Sequence, residues 1–197
     1  MTTIMTPTWR TLISLLAAAA MTGCQSTGSK PAESASGKPS AAAAEIDREV
    51  DTALKKLYES TPSAKVLGAK AKGILVFPDI VKGGLVVGGQ YGKGALRKGG
   101  WTDGYYETVA ASYGLQAGLQ KFGYALFFMD DAALAYLDRS GGWEVGIGPS
   151  IVVVDAGKAA ALTTTTARDE VYAFFFDQKG LMAGLGLQGS KITRINP

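Results

Sequence analysis

The fold is decided by "YYETVAASYGLQAGLQ", Tyr105 to Gln120. Side chains of an extended chain alternate between two faces, so odd and even positions are read apart. The odd set is Tyr105, Val109, Ala111, Tyr113, Leu115, Ala117 and Leu119, interrupted by Glu107. The even set includes Thr108, Ser112, Gly114, Gln116, Gly118 and Gln120. One face is bulky and apolar, the other glycine, amide and hydroxyl, as in a half-buried strand. The signature recurs in "GLVVGGQ" from Gly84 and "GLMAGLGLQ" from Gly180, with glycines four apart and a Gln following on their face. "EVGIGPSIVV" (Glu144 to Val153) sets Gly146 and Gly148 against Val145, Ile147, Ile151 and Val153. Glycine weakens a strand, so a stripe of it points to close backbone packing or a sharply coiled sheet. A shallow groove for an acyl chain or polar ligand is the alternative.

Working outward, "GILVFP" (Gly73 to Pro78), "YALFFM" (Tyr124 to Met129) and "VYAFFF" (Val171 to Phe176) read as further strands. "DDAALAYLDRSGG" reads as a short helix with an Asp cap and Gly141 past its end. "EIDREVDTALKKLYES" (Glu45 to Ser60) spaces Ile46, Val50, Leu54 and Leu57 as one helical face. Thr61-Pro62 opens a second helix that runs towards Gly73. The expected class is α+β and β-rich. It is a coiled antiparallel sheet or partly closed barrel of Gly-rich strands, with N-terminal helices, one short inserted helix, and the helices on one side.

Composition narrows the chemistry. The 197 residues include no His and a single Cys, which excludes imidazole catalysis, imidazole metal sites and an internal disulfide. "GLGLQG" (Gly184 to Gly189) fits a dinucleotide fingerprint only if a helix follows, and "SKITRINP" ends the chain instead. "GGQYGKGA" lacks the spacing of a phosphate-binding loop, and Asp130 with Asp131 reads as helix capping. "TTTT" (Thr163 to Thr166) reads as loop or strand, not as a nucleophile cluster. No catalytic residue, metal site or cofactor is expected. The net charge of +3 gives no nucleic-acid footprint.

The lone cysteine has a context. Arg10, the apolar "TLISLLAAAAM" and then Met21-Thr22-Gly23-Cys24 have the parts of a secretory signal ending in a bacterial lipobox. This predicts a signal peptide over 1–23, cleavage before Cys24, and acylation of its thiol and new amino terminus. Three acyl chains anchor stably where one is marginal. Residues 24–44 carry no large apolar side chain and read as a tether, which as a coil spans on the order of 25 Å. The domain is expected over 45–197. Gln25 after the cysteine favours the outer membrane, facing the periplasm, by analogy with enterobacterial sorting.

Charge is segregated along the chain. Between Thr61 and Gly100 stand Lys65, Lys70, Lys72, Lys82, Lys93, Arg97 and Lys98 against one acid, Asp79. If these share a face, they attract anionic headgroups, with Trp101 as an interfacial aromatic.

"AKAKGILVFPDIVKGGLVVGGQYGKGAL", "GYYETVAASYGLQAGLQ", "ALFFMDDAALAYL", "GWEVGIGPSIVVVD" and "VYAFFFDQKGLMAGLGLQGSKITRI", in this order, resemble a bacterial SYLF domain. The resemblance covers Ile46 to Ile195. It implies lipid binding, to phosphoinositides in eukaryotic members, actin binding in some fungal ones, and no catalytic residues. The expectation is a non-enzymatic, lipid-anchored envelope protein. Its domain binds anionic phospholipid through the seven cations; the alternative is a scaffold that holds an envelope protein partner.

Overall fold

The computed structural model describes residues 39–85, 87–113, 118–154, 162, 167–180, 187 and 189–197. Cys24, Thr163 to Thr166 and most of the 180–189 glycine segment lie outside them. Helix α1 (Ala41–Ser60) and helix α2 (Pro62–Gly68) lead into strands β1 (Gly73–Gly84), β2 (Val87–Lys98), β3 (Trp101–Tyr113) and β4 (Gly118–Phe128). A one-turn helix α3 (Asp131–Leu134) continues as a 3-10 turn over Ala135–Asp138. Strands β5 (Trp143–Glu144), β6 (Ile151–Val154), β7 (Val171–Gly180) and β8 (Lys191–Ile195) complete the domain.

One eight-stranded sheet, curled into a half-barrel, runs in the order β5-β8-β3-β2-β1-β4-β7-β6. β1 to β4 stand in the order 4-1-2-3, the order of a Greek key. All pairs are antiparallel except β6 with β7, so the sheet is mixed and not wholly antiparallel as expected.

The α1 face places Ala43, Ile46, Val50, Ala53 and Leu57 on the sheet, three and four residues apart. The helix starts at Ala41, before the expected Glu45: Ser40 Oγ accepts from the Ala43 N–H at 3.0 Å, and the alanine run extends the helix. The Ser40 hydroxyl also donates to the Pro197 carbonyl at 2.8 Å, joining the first turn to the last residue. α2 ends at Gly68, short of Gly73, so Lys70 and Lys72 lie outside it.

The helices do not share one side. α1 and α2 pack with Ile74, Val76, Ala95, Ala125, Phe127, Tyr172 and Phe174 on one face. Leu134, Leu137 and Trp143 pack with Leu75, Phe77, Leu96, Tyr124, Leu126 and Phe128 on the other. A sheet covered twice has no polar face, which is why Gly73 to Pro78 reads as a continuous apolar run.

Three readings of the striped segments change. Tyr105 to Gln120 is not one strand but β3 and β4, which lie three places apart in the sheet. "GLVVGGQ" turns a hairpin, so Gly84 and Gly88 share a face as opposed residues of β1 and β2, not as neighbours along one strand. In "EVGIGPSIVV" only the ends are strand; Gly146 and Gly148 have φ of 104° and 100°, a left-handed backbone that ends the ladder. The close-packing reason for glycine holds at Gly94 and Gly92, where a Cβ would run into the Val76 carbonyl oxygen and the Ile80 side chain of β1.

Candidate functional site

Helices cover only half of strands β1 to β4. Beyond Pro78 both faces change character. Pro78 lacks a backbone donor and sits where β1 slips register against both neighbours, an extra residue that bends the strand. A second slip occurs in β7 at Phe176 to Lys179, around Asp177, whose φ of 51° is left-handed. Between α1 and these two bulges lies a cleft of about 540 Å3, lined by Arg48, Lys56, Asp79, Lys121, Asp177 and Lys179 among others. Lys121 pairs with Asp79 at 2.9 Å and Lys56 with Asp177 at 3.4 Å, both exposed.

Past the cleft the outer face is apolar. Register places Lys179, Lys121, Val81, Tyr91, Val109 and Lys191 in one row across β7, β4, β1, β2, β3 and β8. Directly opposed residues share a face, so the row is an apolar centre with lysines at both flanks. Leu119, Gly83, Gly89 and Ala111 form the next row on this face. Leu85, Val87 and Leu119 are 74%, 66% and 66% exposed, and Val81, Tyr91 and Val109 are also exposed. Exposed apolar side chains gathered on one sheet face are the kind of patch that serves interaction surfaces in general.

The inner face at the same level is polar. Lys82 stands directly opposite Gln90 on β2 and Gln120 on β4. Both glutamines are buried, as are Thr108 and Ser190. Gln90 Nε2 donates to Ser190 Oγ at 3.0 Å, and the Tyr124 hydroxyl donates to Thr108 Oγ1 at 3.0 Å. Burial pushes the Tyr124 phenol well above the usual tyrosine range, against a smaller lowering by Thr108.

The structure does not gather the seven expected cations on one surface. Arg97 is held under α1, 2.9 Å from Asp47 and 2.7 Å from Asp51. Asp47 also accepts from Thr102 Oγ1 at 2.7 Å and the Tyr105 hydroxyl at 2.9 Å, so this cluster clamps α1 to the sheet. Burial and then the Asp47 carboxylate raise the Tyr105 phenol. Lys98 pairs with Asp103 at 3.0 Å and Lys72 with Asp131 at 3.7 Å. Lys65, Lys70, Lys72, Arg97 and Lys98 lie at or near the covered end, where β1 begins and β2 ends. Trp101, 81% exposed, stands there too, opposite Lys98. Lys93 lies mid-sheet between Asp79 and Glu107. Lys82 is on the inner face at the uncovered end. Asp130 caps α3 as expected, accepting from the Ala133 N–H at 2.7 Å.

Lys121, Lys179 and Lys191 escape sequence reading because they are far apart in the chain. Only strand register brings them to the flanks of one row. The Gln following the glycines was a visible signal at Gln90 and Gln120, but their alignment with Lys82 was not. Among the described residues, no helix is long and apolar enough to cross a membrane.

The half-barrel can be compared with known proteins. Residues 109–196, from mid-β3 to the end of β8, match the Ysc84 family, described as "Las17-binding protein actin regulator". Over these residues the chain is similar to a SYLF (Ysc84) domain. The chain is also 33% identical over 148 residues to "Beta cell expansion factor A" of Aeromonas veronii, an alignment covering 74% of this chain and 54% of that protein. The chain therefore spans about half the length of the curated relative it matches. The family match includes Val109, Leu119, Gln120, Lys121, Lys179 and Lys191 of the uncovered end.

Proposed function

We propose that the chain is a non-enzymatic lipoprotein of the cell envelope, acylated on Cys24 and placed at the outer membrane facing the periplasm, whose SYLF domain docks on anionic phospholipid bilayers. The observation that carries this reading is the row Lys179–Lys121–Val81–Tyr91–Val109–Lys191 with Leu85, Val87 and Leu119 beyond it. An apolar patch fringed by long cationic stems suits a bilayer interface, because the stems keep their charges at headgroup level while the centre leaves water.

Magnitudes rank the two contributions. Each Val or Leu removed from water contributes about 1.5–3 kcal/mol at full burial, less here because these side chains start partly covered. Each lysine near an anionic surface contributes about 1 kcal/mol and is screened within a Debye length of about 8 Å at physiological salt. Apolar insertion therefore dominates and charge selects the lipid. Lys121, Lys179, Lys191 and Lys93 are assigned the headgroup contacts. Lys65, Lys70, Lys72 and Lys98, at the other end, form the competing set. A protein partner on the same patch is the second reading, favoured by the family's description as a Las17-binding actin regulator.

The test is co-sedimentation of the purified chain with anionic and neutral vesicles at low and high salt. Stronger binding to anionic vesicles, weakened but not abolished by salt, is expected. Binding to neither, with one dominant protein crosslink in cells, would replace the bilayer by a protein partner.

A further inference from the structure

The cleft beside α1 carries charges that the fold leaves unpaired. α1 crosses the strands: Asp47 near its start is fixed to Arg97 of β2, and Lys56 near its end to Asp177 of β7. Its flank therefore passes over β1 and β4, which lie between those two strands. From Arg48 to Lys56 the helix rises about 12 Å, and the step from β1 through β4 to β7 is about 10 Å. Arg48, Glu49 and Thr52 of the helix line one wall of the cleft. Asp79, Lys121 and Lys179 of the three strands line the other.

Two irregularities shape the strand wall. β1 slips between Phe77 and Ile80, opposite Tyr124 and Phe122 of β4. β7 slips on the other side of β4, opposite Gly123 and Lys121. Both bulges thus flank one short stretch of β4. They close over Gly123, where a Cβ would run into the Phe176 ring and the Pro78 carbonyl oxygen. Asp177, in the second bulge, holds the left-handed backbone noted above. Bulges that re-aim side chains, and non-glycine residues held at positive φ, gather where a fold serves binding.

The charges select the occupant. Lys121 and Lys56 are each paired with one oxygen, Oδ2, of Asp79 and of Asp177. Among the described residues, the Arg48 guanidinium, the Lys179 ammonium and the Glu49 carboxylate have no hydrogen-bond or ion-pair partner. A compact polyanion would meet the two unpaired cations but also the carboxylates of Glu49, Asp79 and Asp177. An acidic peptide satisfies both signs. Its carboxylates answer Arg48 and Lys179, and its backbone N–H groups donate to the carboxylate oxygens that the lysines leave over. Alternate side chains of an extended peptide share a face and recur about every 7 Å. A cleft of about 540 Å3 and this length therefore takes a short extended segment with two acidic side chains on one face.

We propose that the cleft between α1 and the two bulges binds an extended acidic peptide segment of a partner protein, with Arg48 forking one carboxylate and Lys179 taking a second. Lys179 also flanks the apolar row, whereas Arg48 belongs to the cleft alone, so variants of Arg48 separate this site from bilayer docking.

The test is fluorescence anisotropy of the purified chain, without lipid, against a fluorescein-labelled, amidated peptide of alternating glutamate and serine. The same peptide with glutamine for glutamate is the neutral control, and tripolyphosphate at matched ionic strength is the polyanion competitor. Saturable binding of the acidic peptide, none of the neutral one, and displacement by unlabelled acidic peptide at lower concentration than by tripolyphosphate are expected. Arg48→Gln should weaken binding by about tenfold. Lys55→Gln, exposed on the same helix but outside the cleft, should leave it unchanged. Arg48→Gln should also leave vesicle co-sedimentation where it was. Arg48 is exposed, so its variant is expected to fold. The proposal is overturned if the neutral peptide binds equally, if tripolyphosphate is the better competitor, if Lys55→Gln weakens binding as much as Arg48→Gln, or if Arg48→Gln loses peptide and vesicles in proportion.

Discussion

The same four strands, β1 to β4, are two different objects along their length. Over Ile74 to Phe77 every side chain is buried, with α1 and α2 on one side and α3, its 3-10 turn and Trp143 on the other. Over Val81 to Gly84 the helices are gone; the outer face exposes apolar side chains and the inner face aligns Gln90, Lys82 and Gln120. The boundary is Pro78, where β1 slips register against both neighbours. Stability is concentrated in the covered half.

That contrast is broken most directly in the covered half. Phe127→Ala, at a ring 5.0 Å from Phe174 and fully buried, is expected to destabilise the fold by about 3–5 kcal/mol in denaturant titration. A loss under about 1 kcal/mol would mean that the core lies elsewhere. Removing the α1 clamp comes next. Arg97→Ala leaves Asp47 partly buried without its guanidinium and is expected to cost about 2–4 kcal/mol, without altering vesicle affinity at a temperature where the chain stays folded.

High pH should act on the fold as well. Burial raises the Tyr124, Tyr106 and Tyr58 phenols above the free value, and burial with Asp47 raises Tyr105. A phenol that titrates later in the folded chain gives up its proton first in the unfolded one. Its contribution is therefore complete below about pH 10 and lost as pH rises through the raised values. Thermal midpoints should fall steadily above pH 10, and a flat profile to pH 12 would contradict the burial of these rings. The smallest stability effect belongs to the uncovered half: Leu85→Ser with Val87→Ser should move stability by only about 0.5 kcal/mol per site. The same pair should lower vesicle affinity by about tenfold or more, since two apolar side chains no longer leave water.

Much of the fold was legible because it rests on local pattern. The periodicity of Ile46, Val50 and Leu57 gave α1, the Asp130 cap gave α3, and the alternating and apolar runs gave the strands. Illegible were the features set by long-range pairing. The reversal between β3 and β4 leaves the alternation of Tyr105 to Gln120 intact in sequence while assigning its halves to different neighbours. The parallel β6–β7 pair and helices on both faces likewise follow from tertiary packing. The seven cations stand close in sequence, but strand direction carries Lys82 roughly 30 Å from Lys72 along β1, at about 3.3 Å per residue. Arg97 shows the opposite limit: charge in a basic segment turned out to be an internal clamp.

The central claim is that the uncovered end, not the covered end with its exposed Trp101, enters the bilayer. Vesicles of anionic phospholipid with brominated acyl chains quench indole fluorescence only at short range. The chain beginning at Cys24, with its native Trp101, is compared with a Tyr91→Trp, Trp101→Phe double variant; this form leaves out Trp9, and the buried Trp143 is common to both. Strong quenching of the double variant, with Trp101 in the native chain left bright, is the predicted result. Quenching of Trp101 with the indole at position 91 unaffected would place the membrane at the wrong end of the sheet and contradict the account.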